Sequence, residues 1–199
     1  DSNASYMFES CNLLEEITLK NDKKSSIITM NSLLIRCNSL KKINLDNFEK
    51  KTVVTMNNMF NGCNSLEAID LSKFETSLVT SMESTFSYCS SLKSLDISQM
   101  NTNNLIYMGY AFKNSSSLTS LDFTNFDMRK TLTMSGLFFG CTSLESIHLD
   151  NYELKRQSVA DFFNKCSSLK NVSLKVNSVL TVERFFKGCN SLEYVDLSK

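Results

Sequence analysis

The sequence has no proline, no tryptophan, one histidine and five glycines in 199 residues. Without proline, and with so little glycine, it is neither a collagen-like repeat nor a Pro/Gly-rich linker. Lys and Arg together number 21, as do Asp and Glu, so the formal net charge is zero. A neutral chain exerts no bulk attraction on nucleic acid or anionic lipid. The longest basic cluster, Lys20 to Lys24, is interrupted by Asn21 and Asp22. No run approaches the roughly 18 consecutive apolar residues that span a membrane, so no membrane insertion is expected. No signal peptide is visible at the start.

Catalytic and metal signatures are missing as well. There is no C-x-x-C pair of the kind a zinc site uses. There is no G-x-G-x-x-G, no G-x-x-x-x-G-K-[ST], no H-E-x-x-H and no G-x-S-x-G. The reading therefore assigns no catalytic residue, no cofactor and no metal, and does not expect an enzyme.

What the sequence does have is a ladder. Cys11, Cys37, Cys63, Cys89, Cys141, Cys166 and Cys189 recur with Ser115 on the one remaining rung, at steps of 26, 26, 26, 26, 26, 25 and 23. A spacing this regular is the mark of a solenoid, in which each repeat is one unit stacked on the last. Three residues before each rung stands Phe8, Leu34, Phe60, Phe86, Phe112, Phe138, Phe163 or Phe186, and three after it stands a leucine, such as Leu66 or Leu92. Two apolar residues then follow at period 2, as in Ile69 and Leu71 or Leu95 and Ile97. That L-x-x-I-x-L run is a leucine-rich-repeat pattern with a short strand.

The other half of the repeat has helical spacing. Val53, Met56 and Phe60 fall at i, i+3 and i+7, and Met30, Met56, Met82, Met108 and Met134 recur at 26. Thr52 or Thr76 could cap such a helix, and Gly62, Gly140, Gly188 and Asn114 could end it in the left-handed conformation. Phe48, Phe74, Met100, Phe126 and Tyr152 form a third ladder after the strand. The expected fold is thus α/β: a curved solenoid of about eight strand–turn–short-helix repeats, with a parallel concave sheet about 40 Å long and short helices on the convex side. Residues 1–5 read as a tag remnant or disordered start, and 6–199 as one solenoid, a fragment of a longer array.

Disulfide, metal and redox roles for the cysteine column are set against a structural one. An odd count in an even ladder does not pair off geometrically, and a small buried thiol packs as an apolar residue. The column is therefore read as structural. The outward strand positions carry more function. Asp70, Asp96 and Asp122 stack in one column beside Ser72, Ser94, Ser98, Ser120 and Thr124, and His148 and Asp150 continue it. Like charges about 5 Å apart repel by only ~0.8 kcal/mol in water, so the column is tolerable. It is either a solvated strand face or a mildly acidic groove for a protein segment, a glycan or a cation. Asp70, Asp96, Asp122, His148 and Asp150 are the candidate ligand-binding set.

The combination M-x-x-M-F-x-x-C-x-S-L-x-x-[IL]-x-L-S-x-F, carried most closely by Met56 to Phe74 and next by Met82 to Leu92, resembles the BspA-type leucine-rich repeats. The resemblance covers nearly the whole chain, and the last two copies depart from it by shortening and losing the methionine. It implies a cell-surface or secreted, non-enzymatic module that adheres to a protein or glycan on host or microbial surfaces. It brings no binding residue with it. A structural spacer and an intracellular scaffold for protein–protein contacts remain alternatives, and the oligomeric state stays open.

Overall fold

In the computed structural model, residues 2–19, 27–45, 51–72, 74–123, 125–154 and 157–197 are described. The chain is a parallel β-solenoid. Its strands are short: β1 (Ser2–Asn3), β2 (Glu16–Thr18), β3 (Ile27–Thr29), β4 (Lys42–Asn44), β5 (Lys51–Thr55), β6 (Phe74–Glu75), β7 (Ser146–Leu154), β8 (Asn171–Val176) and β9 (Tyr194–Asp196). They form sheets in the orders β1-β3-β5-β6, β2-β4 and β7-β8-β9, with every pairing parallel. Ser2–Asn3, within the segment set aside as a tag remnant or disordered start, pairs with Ile28–Thr29.

Register follows the repeat. Ile17 lies opposite Ile43, and Ile147 opposite Val172, itself opposite Val195. Single bridges carry the ladder onward between the sheets: Thr55 to Ser81, Tyr107, Thr133, Ser158 and Thr181 in turn.

The expected helices are not there. Among the described residues no helix occurs, and the segment from Val53 to Phe60 is strand followed by turn. The backbone amides explain why. Amides of Met56, Asn58, Phe60 and Gly62 donate across to the carbonyls of Ser81, Glu83, Thr85 and Ser87 in the next repeat. Those of Met59, Asn61 and Cys63 donate to the carbonyl three residues back, and Asn57 donates to Oδ1 of Asn31 at 3.0 Å. Every amide from 56 to 63 thus has a partner, and none is left for the i−4 bond of an α-helix. The apolar i, i+3, i+7 pattern arises because each tight turn advances three or four residues between inward-facing side chains.

Left-handed residues close those turns. Gly62, Gly140 and Gly188 have φ of 81°, 72° and 80°, and Asn114 has φ 57°. The conformation expected of them is present, but it joins turn to turn instead of ending a helix. Thr76 is likewise not a helix cap. It is buried, donates to the Asn101 carbonyl at 3.1 Å and accepts from the Asn101 amide at 2.8 Å, tying one repeat to the next.

The interior is a bundle of columns. Phe60, Phe86, Phe112 and Phe138 are fully buried and stack with ring centroids 5.4, 5.6 and 5.7 Å apart. Phe163 extends the stack at 5.5 Å, and Phe123 meets Phe112 and Phe138 edge-on. Leu40, Leu66, Leu92, Leu118, Leu144 and Leu169 form a second buried column, and the methionines a third. Phe74, Met100 and Phe126 are buried, Tyr152 is half-buried, and Phe48 lies outside the described residues. No repeat could bury these side chains alone, so stability resides in contacts between neighbours.

The cysteine column does more than fill space. All seven cysteines are free thiols, and Cys37, Cys63, Cys89, Cys141 and Cys166 are buried. Each of these thiols, and that of Cys189, donates to a carbonyl of the preceding repeat. Cys63 reaches Leu34 at 3.3 Å, Cys89 reaches Phe60 at 3.1 Å and Cys141 reaches Phe112 at 3.0 Å. Burial pushes the Cys89 and Cys141 thiols up to about 12.

Candidate functional site

Alternation places the aspartates outside. Ile69, Leu71, Leu95, Ile97, Leu121 and Phe123 point into the core, so Asp70, Asp96 and Asp122 between them are exposed, as is His148 between Ile147 and Leu149. Asp70 and Asp96 sit opposite each other in a parallel bridge. Each carboxylate is held by its own chain: Asp70 Oδ1 accepts the Ser72 amide at 2.8 Å, and Asp96 Oδ1 accepts the Ser98 amide at 2.9 Å.

The bonds from Ser98 hold the Asp96 carboxyl below the usual carboxylate range, against the weaker opposing effect of Asp70 and Asp122 on either side. Asp96 is therefore ionised at neutral pH, and Asp70 and Asp122 both lie close enough to act on it.

The rest of the expected set is less concentrated. His148 lies in register with Ser173 of β8, and Ser173 with Asp196 of β9. The backbone of Asp150 continues β7, while its side chain is outside the described part of the structure, as is Thr124. Half-buried Asp196 extends the column and was missed. Its signal was the step of 23 from position 173, the same shortening seen in the last cysteine step.

Lysines beside the column were missed too. An open groove of about 860 Å³ runs along Asp70 and Asp96 and is lined also by Lys41, Lys42, Ser72 and Ser94. Lys41 pairs with Glu15 at 3.0 Å, Lys42 with Glu16 at 3.0 Å, Lys93 with Glu67 at 2.7 Å and Lys170 with Glu145 at 3.2 Å. Four residues after successive rungs stand Glu15, Lys41, Glu67, Lys93, Thr119, Glu145, Lys170 and Glu193. That alternation of sign was readable in the sequence, and it makes the groove mixed in charge instead of plainly acidic. Such exposed pairs are worth about 0–1 kcal/mol each, so they set surface pattern more than stability. Among the described residues no three His, Cys, Asp or Glu side chains gather as a metal site.

A family described as "Mycoplasma protein of unknown function, DUF285" matches residues 2–120, 68–174 and 108–199, three overlapping windows that run through the array. The chain belongs to this DUF285 family. No curated protein matches the sequence. Among solved structures, this DUF285 member is similar to a leucine rich cell surface protein from Faecalibacterium prausnitzii A2-165, at 19% identity and a TM-score of 0.49, over 97% of this chain and 62% of that one. It is similar also to a leucine-rich repeat protein from Bacteroides ovatus ATCC 8483, at 23% identity and a TM-score of 0.33, over 98% of this chain and 64% of that one. The chain thus spans less than two thirds of the length of each. Its 26-residue motif, and the leucine columns it builds, agree with the BspA-type leucine-rich repeat read from the sequence.

Proposed function

We propose that the chain is a non-enzymatic cell-surface binding module. It recognises a protein or glycan of a host or microbial surface on the strand face that carries Asp70, Asp96 and Asp122, with His148 and Asp150 extending that face. The BspA-type resemblance supports the surface location and the adhesive role. The array would count about eight repeats, one for each member of the cysteine and serine column, and the aspartate face would be its concave side.

The observation that carries the reading is the in-register pairing of exposed Asp70 with exposed Asp96 beside an open groove. Two carboxylates on neighbouring strands repel mildly and add nothing to the core. The backbone amides of Ser72 and Ser98 fix both in orientation before any ligand arrives. A ligand then meets a rigid, pre-organised row of charge, which lowers the ordering cost of association. Complementary basic groups on the ligand would gain encounter rate and register from that row.

The test is binding of the chain to a panel of matrix proteins, glycans and microbial surfaces, compared with the Asp70→Lys/Asp96→Lys/Asp122→Lys variant. Saturable binding that disappears in a folded variant supports the reading. Binding that survives moves the site elsewhere, and no binding across the panel favours a spacer.

A further inference from the structure

The turns carry a second exposed cluster, on different columns of the repeat from the aspartates. Lys113 Nζ lies 5.5 Å from the centre of the Tyr88 ring, 5.3 Å from Tyr110 and 5.6 Å from Phe139. Lys165 Nζ lies 5.3 Å from the same Phe139 ring. Tyr88 and Tyr110 remain 44% and 40% exposed, so neither is a core residue.

The backbone sets both tyrosines at the corners of turns. Both sit at left-handed turn positions, with φ of 60° and 57°. The equivalent positions in other repeats are left-handed too; some hold Gly62, Gly136 or Asn114, and others hold Tyr6, Arg36, Lys165 or Arg184. Long side chains therefore recur at these corners, and these two rings lie outside the core. Gly136 follows from Tyr110: a Cβ on Gly136 would lie 2.3 Å from the Tyr110 ring, so the glycine leaves room for the ring to lie over the next turn.

The lysines differ from those beside the aspartate column. Lys41, Lys42, Lys93 and Lys170 each have a glutamate one repeat back. Lys113 and Lys165 form no ion pair among the described residues and rest on ring faces. A cation on an aromatic face is partly desolvated and retains its need for an anion. Arg184, close enough to Tyr110 to be influenced by it, is committed to Asp161 at 2.7 Å.

We propose that the surface formed by Tyr88, Tyr110, Phe139, Lys113 and Lys165 binds an anionic polysaccharide. A sugar ring presents a flat C–H face to a tyrosine ring, and its carboxylate or sulfate groups meet the two ammonium groups. An acidic peptide would satisfy the charges and leave the rings unused. A nucleic acid would stack on the rings, but it needs a longer run of cations along its phosphates than the two lysines of this cluster supply. The proposal shares with the preceding section only the premise that the chain is a binding module, and it does not depend on the aspartate column.

The experiment is titration followed by intrinsic tyrosine fluorescence, which is clean because the chain has no tryptophan. The probes are dextran sulfate, polygalacturonate, neutral dextran, polyglutamate and single-stranded DNA. Salt-dependent binding to dextran sulfate, polygalacturonate or both is expected, and the comparison tells sulfate from carboxylate. Lys113→Gln/Lys165→Gln should weaken it about tenfold or more, and Tyr88→Ser/Tyr110→Ser should also weaken it, each with an unchanged thermal melt. The aspartate-to-lysine variant should bind at least as well as the parent, which separates failure of this surface from failure of the other. Equal or tighter binding of polyglutamate or DNA, binding untouched by either double variant, or no binding of any charged polysaccharide would overturn the proposal.

Discussion

The hydroxyl of Ser115 donates to the carbonyl of Phe86 at 2.7 Å, taking the place that a thiol holds in the neighbouring repeats. Cys89 meets the carbonyl of Phe60 in the same way at 3.1 Å, and that carbonyl also accepts the Cys63 amide at 3.0 Å. The rung is therefore a site for a small buried donor, and serine fits it because it is one. Cys89→Ser should stay within about 1 kcal/mol of the parent, whereas Cys89→Ala should lose about 1 kcal/mol for the bond plus a small packing term. Urea denaturation of the two variants measures the difference. A Cys89→Ala protein as stable as Cys89→Ser would reduce the thiol to a space-filler.

The phenylalanine column should be most sensitive at its centre. Phe86 is fully buried and stacked on both sides, on Phe60 and Phe112. Phe86→Ala should destabilise the chain by about 3–5 kcal/mol. Phe186, half-buried and stacked on Phe163 alone in that column, should lose clearly less on truncation. Denaturation midpoints of the two variants provide the check.

Thiol chemistry should follow depth. Cys11 and Cys189 are half-buried, while the other five are buried. In the native protein at mildly alkaline pH, a thiol reagent should modify Cys11 and Cys189 first and reach the rest only on unfolding. Burial raises the folded pKa of Cys89 and Cys141 from 9.0 to about 12. The protonated thiol is the form the fold prefers, so this contribution to stability is complete below about pH 9. It declines as pH rises toward about 12, where the unfolded chain would already have released its protons. Melting temperature against pH should fall across that window, and the Cys89→Ser variant should fall less.

At the acid end the relevant pair is Asp161 and Arg184. Hydrogen bonds from Arg184, at 2.8 and 2.7 Å, lower the Asp161 carboxyl to about 2. A lowered carboxylate contributes stability that is present above the ordinary value near 3.8 and lost as pH falls toward 2. Arg184→Gln should flatten the acid limb of the stability profile over that range and lower the stability at neutral pH by the same modest amount, modest because Arg184 is half exposed. A profile that keeps its full slope in the variant would assign the acid limb to other carboxylates.

The architecture was legible because a core column must repeat wherever a repeat stacks. The spacing of Cys63, Phe60 and Leu66 could only mean neighbours lying over one another, and Asp70, Asp96 and Asp122 followed from strand alternation. The turns were not legible. Met56 and Phe60 recur at intervals that a helix and a chain of tight turns both produce, and the sequence does not state whether the Asn58 amide bonds back along its own segment or across to Glu83. Lys113 was hidden for a different reason. Its three ring partners, Tyr88, Tyr110 and Phe139, lie on three repeats and three turn positions, and no local motif joins them. Asp196 and the Glu15 to Glu193 alternation, by contrast, were visible to anyone who followed columns other than cysteine.

The central claim is that stacked turns, tied repeat to repeat by amides such as those of Asn58, Phe60 and Gly62, replace the helices of the expected pattern. The far-UV circular dichroism spectrum of the folded chain tests it most directly. The structure predicts a spectrum of strand and turn that lacks the paired minima of the α-helix. A pronounced helical double minimum in a protein that melts cooperatively would contradict it.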